Sequence, residues 1–225
     1  MKIKRALFLL ICTSLIIPNI YSDSFKYNTY NNHGVIGLIN MPTARFFDSS
    51  VYGVSVYDGS PDQKVTFTAN PYDWLEASVF YTNIQGKPYP GFEYQDYKDK
   101  GFNFKLRLKE EGKLPAIAVG INDIAGTGLY GSEFIVGSYG IRNIDFHFGI
   151  GWGAYNGSKY SFNNPFGYID NRFKIRDENE PGFQGTGSFT PGRYFSGKES
   201  SPFFGISYLL NDSLLLKIEH DTTVT

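Results

Sequence analysis

The chain has 225 residues, a formal net charge of -1, 17% aromatic and 19% charged residues, and 25 glycines. So small a net charge supplies no global field for nucleic acid or for a polybasic membrane surface. A mean hydropathy of -0.27, with no apolar run of ~18 residues beyond the N-terminus, excludes a bundle of transmembrane helices while leaving room for a β-barrel, in which only alternate residues meet lipid.

The chain opens with a basic MKIKR, an apolar ALFLLICTSLII, and Asn19-Ile20-Tyr21-Ser22, which ends on a small residue. This is the pattern of a secretory signal peptide over residues 1–22, too short to span a bilayer. The single cysteine, Cys12, lies inside the apolar stretch and follows Leu9-Leu10-Ile11. That sequence lacks the small residue a lipoprotein processing site wants before its cysteine. A mature chain without cysteine has no disulfide framework, thiol nucleophile or thiolate metal site. Residues 23–50 form a polar lead, expected on the periplasmic side, that ends in GVIGLINMPTARF and its flanking residues.

From residue 51 onward the pattern has period two. Tyr52, Val54 and Val56 share one face of 51–58. Val65, Phe67 and Ala69 oppose Lys64, Thr66 and Thr68 in 63–70, and Leu75, Ala77, Val79 and Tyr81 oppose Glu76 and Ser78 in 73–82. The clearest case is 100–109, where Phe102, Phe104, Leu106 and Leu108 alternate with Asn103, Lys105, Arg107 and Lys109. Further strands are expected at 115–124, 131–138, 143–153, 201–210 and 213–220. In 143–153, Ile144, Phe146, Phe148, Ile150 and Trp152 line one face, with Asp145, His147, Gly149, Gly151 and Gly153 on the other. Such alternation marks half-exposed strands, and no segment past the signal keeps a 3.6-residue period. The glycines lie on one face with no helix after them, so they are small lumen-side positions where a loop or plug can approach closely, unlike a phosphate cradle.

Two features favour a membrane barrel over a soluble sandwich. Several strands run 8–11 residues, near the ~9–11 needed to cross a bilayer at a tilt. Short turns alternate with long connections at Asn83–Asp99 and at 154–200, as in outer-membrane barrels. Aromatics near strand ends (Tyr52, Tyr57, Tyr72, Trp74, Tyr81, Phe102, Tyr139, Trp152, Phe203, Tyr208) suit the interfacial girdles of such a barrel. The expected fold is therefore all-β, an antiparallel up-and-down transmembrane β-barrel over 51–225. Nine strands is an odd count, so truncation of a larger barrel, or completion by a partner chain, is expected.

The lumen-facing candidates are Lys64, Glu76, Lys105, Arg107, Asp145, His147, Lys217 and Glu219. Charge ladders tune what permeates a pore, and the cations of 100–109 would favour an anionic polysaccharide. Asp145 and His147, two residues apart, share a face and could serve a general base, but no nucleophile stands beside them in sequence. DIAGTGLYG lacks the strand–glycine–helix context of a dinucleotide site. The loop 154–200 mixes polar residues with many aromatics and is the segment best suited to sugar rings. No metal or cofactor is expected.

GLINMPTARF (37–46), WLEASVFYT (74–82), the run from Tyr97 to Val136, FGIGWG (148–153) and NPFGYIDNRF (164–173) together resemble the YjbH-like family of outer-membrane proteins from exopolysaccharide and capsule operons. The resemblance implies a porin-like outer-membrane barrel that works with exopolysaccharide, the lipid bilayer and other export-operon proteins, without catalysis of its own. The alternatives are a barrel hydrolase using Asp145 and His147, and a secreted, soluble glycan-binding β-sandwich.

Overall fold

The computed structural model describes residues 27–89, 91–176 and 191–224. The signal segment at 1–22, Cys12 within it, and part of the long loop lie outside the described residues.

The described chain is all-β. Its strands are β1 (Val51–Asp58), β2 (Asp62–Tyr72), β3 (Leu75–Tyr89), β4 (Phe92–Lys109), β5 (Ala116–Ile124), β6 (Ser132–Ile141), β7 (Ile144–Gly153), the two-residue β8 (Phe162–Asn163), β9 (Glu199–Asn211) and β10 (Leu214–His220). They form a single antiparallel meander, β1-β2-β3-β4-β5-β6-β7-β9-β10, with β8 pairing β9. A sandwich would need two sheets; here one sheet curls into a half-barrel around the lead segment. β1 and β10 are its edges. The described helical structure consists of short 3-10 turns, and no described helix is long and apolar enough to cross a membrane.

The sheet is polar inside and apolar outside. Register places Val54, Phe67, Val79 and Phe102 side by side across four strands, all on the convex face and all exposed. Phe146, Ile206 and Ile218 do the same across β7, β9 and β10. On the concave face, Thr68, Ser78 and Asn103 are neighbours, as are Glu76 and Lys105, and every one is buried. Strict alternation is the cause, since a strand sends successive side chains to opposite faces.

Two segments depart from expectation. Asn83–Asp99, expected as a long loop, is mostly strand: β3 and β4 extend as a paired hairpin past the ends of their neighbours. The bulges near Ile84–Tyr89 and the left-handed Gly86 break the local alternation, which hid the strand. Trp152 and Phe203, expected in the girdles, are fully buried. Phe203 points into the concave face, where its ring fills the space a side chain at Gly149 would need. Trp152 keeps its convex parity, but the long loop covers it: Phe166 stacks on the indole at 5.5 Å and Phe195 meets it edge-on at 5.3 Å. The loop is anchored beside it by Arg176, whose Nη1 and Nη2 lie 2.7 and 3.0 Å from the Glu133 carboxylate, while the Phe195 N–H donates to the same group.

Candidate functional site

The concave face holds the lead segment, and most of the predicted lumen residues hold it there. Their side chains project inward because each occupies the polar parity of its strand. The lead itself has little regular hydrogen bonding, with isolated bridges at Tyr30–Ile36 and Gly37–Pro42, so its backbone groups need partners from the wall.

Lys105 and Glu76 face each other on β3 and β4 with 3.1 Å between Nζ and Oε1. The ammonium also donates to the carbonyls of Ile36 and Arg45, and the carboxylate accepts the Ile36 N–H. Lys217 donates to the Gly37 and Leu38 carbonyls, both at 2.8 Å, and to the Thr29 hydroxyl. Glu219 accepts three successive backbone N–H groups, Ile39, Asn40 and Met41. Lys64 approaches His33 Nδ1 at 3.2 Å. Burial, with the Lys64 charge beside it, pushes the His33 imidazole down to about 3 despite Asp221 opposing, so this ring is neutral and accepts from the lysine.

Asp145 binds Arg45 through two parallel contacts, Nε at 2.8 Å and Nη2 at 2.5 Å, the fork geometry that suits guanidinium and carboxylate. The remaining Arg45 nitrogen pairs with Glu111, which accepts the Gly140 N–H. His147 lies 3.5 Å from Asp145 and 2.8 Å from the Ser138 hydroxyl. The sequence reading missed Ser138, yet the tight β6–β7 turn sets Ser138 opposite His147 in register, so hairpin counting would have found it. The three residues form a serine–histidine–aspartate cluster beneath the lead. Ser138 Oγ also accepts the Ala44 N–H, all three are buried, and the carboxylate is committed to Arg45. This arrangement fastens Ala44-Arg45 to the wall.

Arg107 stands apart from the rest. It lies half-buried, with its guanidinium 4.8 Å over the Phe46 ring and 3.1 Å from Glu110. Two inward cations of β4 are thus paired, Lys105 with Glu76 and carbonyls and Arg107 with Glu110. An anionic polymer gains no free ladder from them. A small apolar core completes the packing, with Leu38, Met41 and Phe46 of the lead against Ala118, Phe134, Val136 and Phe203 of the wall.

The family model described as "Exopolysaccharide biosynthesis protein YbjH" matches residues 29–224, which includes most of the lead and every described strand. The chain belongs to this family. It is also 33% identical over 197 residues to the lipoprotein YjbH of Escherichia coli (strain K12), covering 85% of the present chain and 28% of that relative. The chain therefore spans little more than a quarter of the length of the curated relative it matches. No solved structure matches it.

Proposed function

We propose that this chain builds a membrane-spanning β-barrel wall in the outer membrane, porin-like in architecture, and takes part in exopolysaccharide or capsule biosynthesis and export without catalysis of its own. The observation that carries this reading is the inverted polarity of the sheet. A water-soluble sheet hides its apolar face, whereas here Val54, Val56, Phe67, Phe148 and Ile218 lie open on the convex side and ionic groups are enclosed. Exposed apolar surface this continuous marks an interaction surface, and a bilayer satisfies a cylinder of such residues directly. β2, β6 and β7, with 11, 10 and 10 residues, match the ~9–11 a tilted spanning strand requires. Tyr72 and Trp74, stacked at 5.3 Å beside the β2–β3 turn, suit the headgroup level on the short-turn side. Hydrocarbon tolerates no open sheet edge, so the reading requires β1 and β10 to pair, with one another or with further strands. Family membership supports the exopolysaccharide role.

Fractionation tests it. The protein should sediment with the outer membrane and shift its gel migration on boiling, and recovery as a soluble periplasmic species overturns the reading. The name of the relative raises a lipid on Cys12 as another means of attachment. Leu9-Leu10-Ile11 disfavours processing there, so metabolic labelling with palmitate should leave the protein unlabelled. A hydrolase reading finds its nucleophile in Ser138, 2.8 Å from His147 and bonded by the Ala44 N–H, or in Ser207, 3.5 Å from the other ring nitrogen; Ser138→Ala with Ser207→Ala should leave surface polysaccharide unchanged.

A further inference from the structure

Where the lead leaves the concave face toward β1, it does not fill the space against the β4–β5 hairpin. A cavity of about 520 Å³ remains, lined by Arg45, Phe46, Phe47 and Asp48 of the lead and by Arg107, Glu110 and Glu111 of the hairpin, among others. This is the size range of small-molecule sites, ~300–1,000 Å³. Its position on the short-turn side, opposite the long loop, places it at the mouth of the lumen.

The lining has a particular chemistry. Phe47 is half-buried and held edge-on by Tyr30 at 5.4 Å, which leaves ring surface at the wall. Arg107 is held between the Phe46 ring, 4.8 Å from its Cζ, and the Glu110 carboxylate, so its planar fork of donors is oriented in advance. Its partner Glu110 is largely exposed, and Asp48 is exposed at the rim. Two guanidiniums face three carboxylates, so the lining is slightly negative and neither arginine lacks a carboxylate. A ligand that fits has an apolar C–H face for the Phe47 ring, many hydroxyls for carboxylate acceptors and guanidinium donors, and no negative charge of its own.

We propose that this cavity binds one or two units of a neutral saccharide, a glycan subsite at the short-turn mouth; the proposal rests on the exopolysaccharide reading only for the source of that saccharide. It selects against uronate or phosphate-bearing polymers, because Asp48 and Glu110 repel them and no unpaired cation compensates.

The test uses the full chain, extracted from membranes in detergent, on an array carrying neutral glucose, galactose and mannose oligomers beside uronate oligomers. Retention on at least one neutral oligomer, about tenfold weaker on uronates, is expected. Arg107→Ala and Phe47→Ala should each weaken it by about tenfold, the loss typical of a planar anchor residue, while Lys113→Ala on the same turn should not. Heat-shifted gel migration of each variant confirms that it folds. Binding to no neutral member, tighter binding to uronates, or binding indifferent to both Arg107 and Phe47 overturns the proposal. The same preparation is scored for outer-membrane fractionation. Protein found there that binds no glycan removes the subsite alone, whereas soluble protein that binds glycan removes the membrane reading alone.

Discussion

Glu76 and Lys105 are direct cross-strand partners, 3.1 Å apart, and both grip the same residue of the lead, Ile36, one through its N–H and the other through its carbonyl. The pair joins wall to filling in one network. Each ion is almost fully buried, so neither can recover water if its partner goes.

Glu76→Ala should therefore destabilise the fold by about 3–5 kcal/mol, the cost of leaving a buried charge unpaired. Replacing both residues with apolar ones, Glu76→Leu with Lys105→Met, should cost much less than the sum of the single changes. Urea unfolding in detergent across the double-mutant cycle measures the coupling. Simple additivity would show that the pair does not act as a unit.

Acid should loosen the lead. His33 is pushed down to about 3 when docked, against about 6.5 when free, so the free state binds more protons between those values. Docking strength is full above about pH 6.5 and falls as the pH drops toward 3. Protection factors of the amides of residues 31–41, corrected for the slower intrinsic exchange in acid, should fall on acidification, and His33→Asn should flatten that dependence.

The convex face should refuse charge. Phe104 lies mid-strand on β4 between Ala77 and Ile121 of its neighbours. Phe104→Lys should lower stability in lipid by about 2–4 kcal/mol, the cost of a cation near the bilayer midplane. Asn103→Ser, one residue away and facing inward, is its control. Refolding yield into vesicles measures both, and equal yields would contradict a lipid-facing surface.

The long loop should report through Trp152. With only two tryptophans in the chain, Trp74→Phe leaves Trp152 as the sole indole emitter. Glu133→Ala then removes the acceptor for Arg176 and for the Phe195 N–H. Emission should shift to the red as Phe166 and Phe195 leave the indole. Unchanged emission would mean the aromatic contacts hold the loop without the ion pair.

Glu219 should govern retention of the lead on the β10 side. Glu219→Gln leaves one acceptor oxygen where the carboxylate uses two, so at least one of the three backbone N–H groups faces a donor and the others lose the assistance of the charge. Limited proteolysis should cut within 39–41 faster than in the parent protein, with the strands themselves intact.

The sequence by itself determined which side chains face in and which face out. Phe102 to Lys109 alternates without a break, and the strand period of two carries that pattern onto opposite faces of any sheet. It also determined that Gly149 and Gly151 admit close neighbours. Their occupants, Phe203 and Tyr155, come from beyond the strand. What the tertiary structure alone decided is the use of the inward charges. Alternation says that Glu219 and Lys217 point inward, but the Ile39 and Leu38 backbone groups they hold lie about 180 residues away, and no local period encodes such a pairing. The lead has no regular element of its own, so its place depends largely on polar groups gathered from six strands once the sheet has curled. For the same reason the sequence marked Trp152 as lipid-facing. Parity was right, and only the returning loop, bonded to Glu133, covers it. The β3–β4 extension escaped because glycine and proline at 86–91 disrupt the alternation while cross-strand pairing keeps the hairpin together.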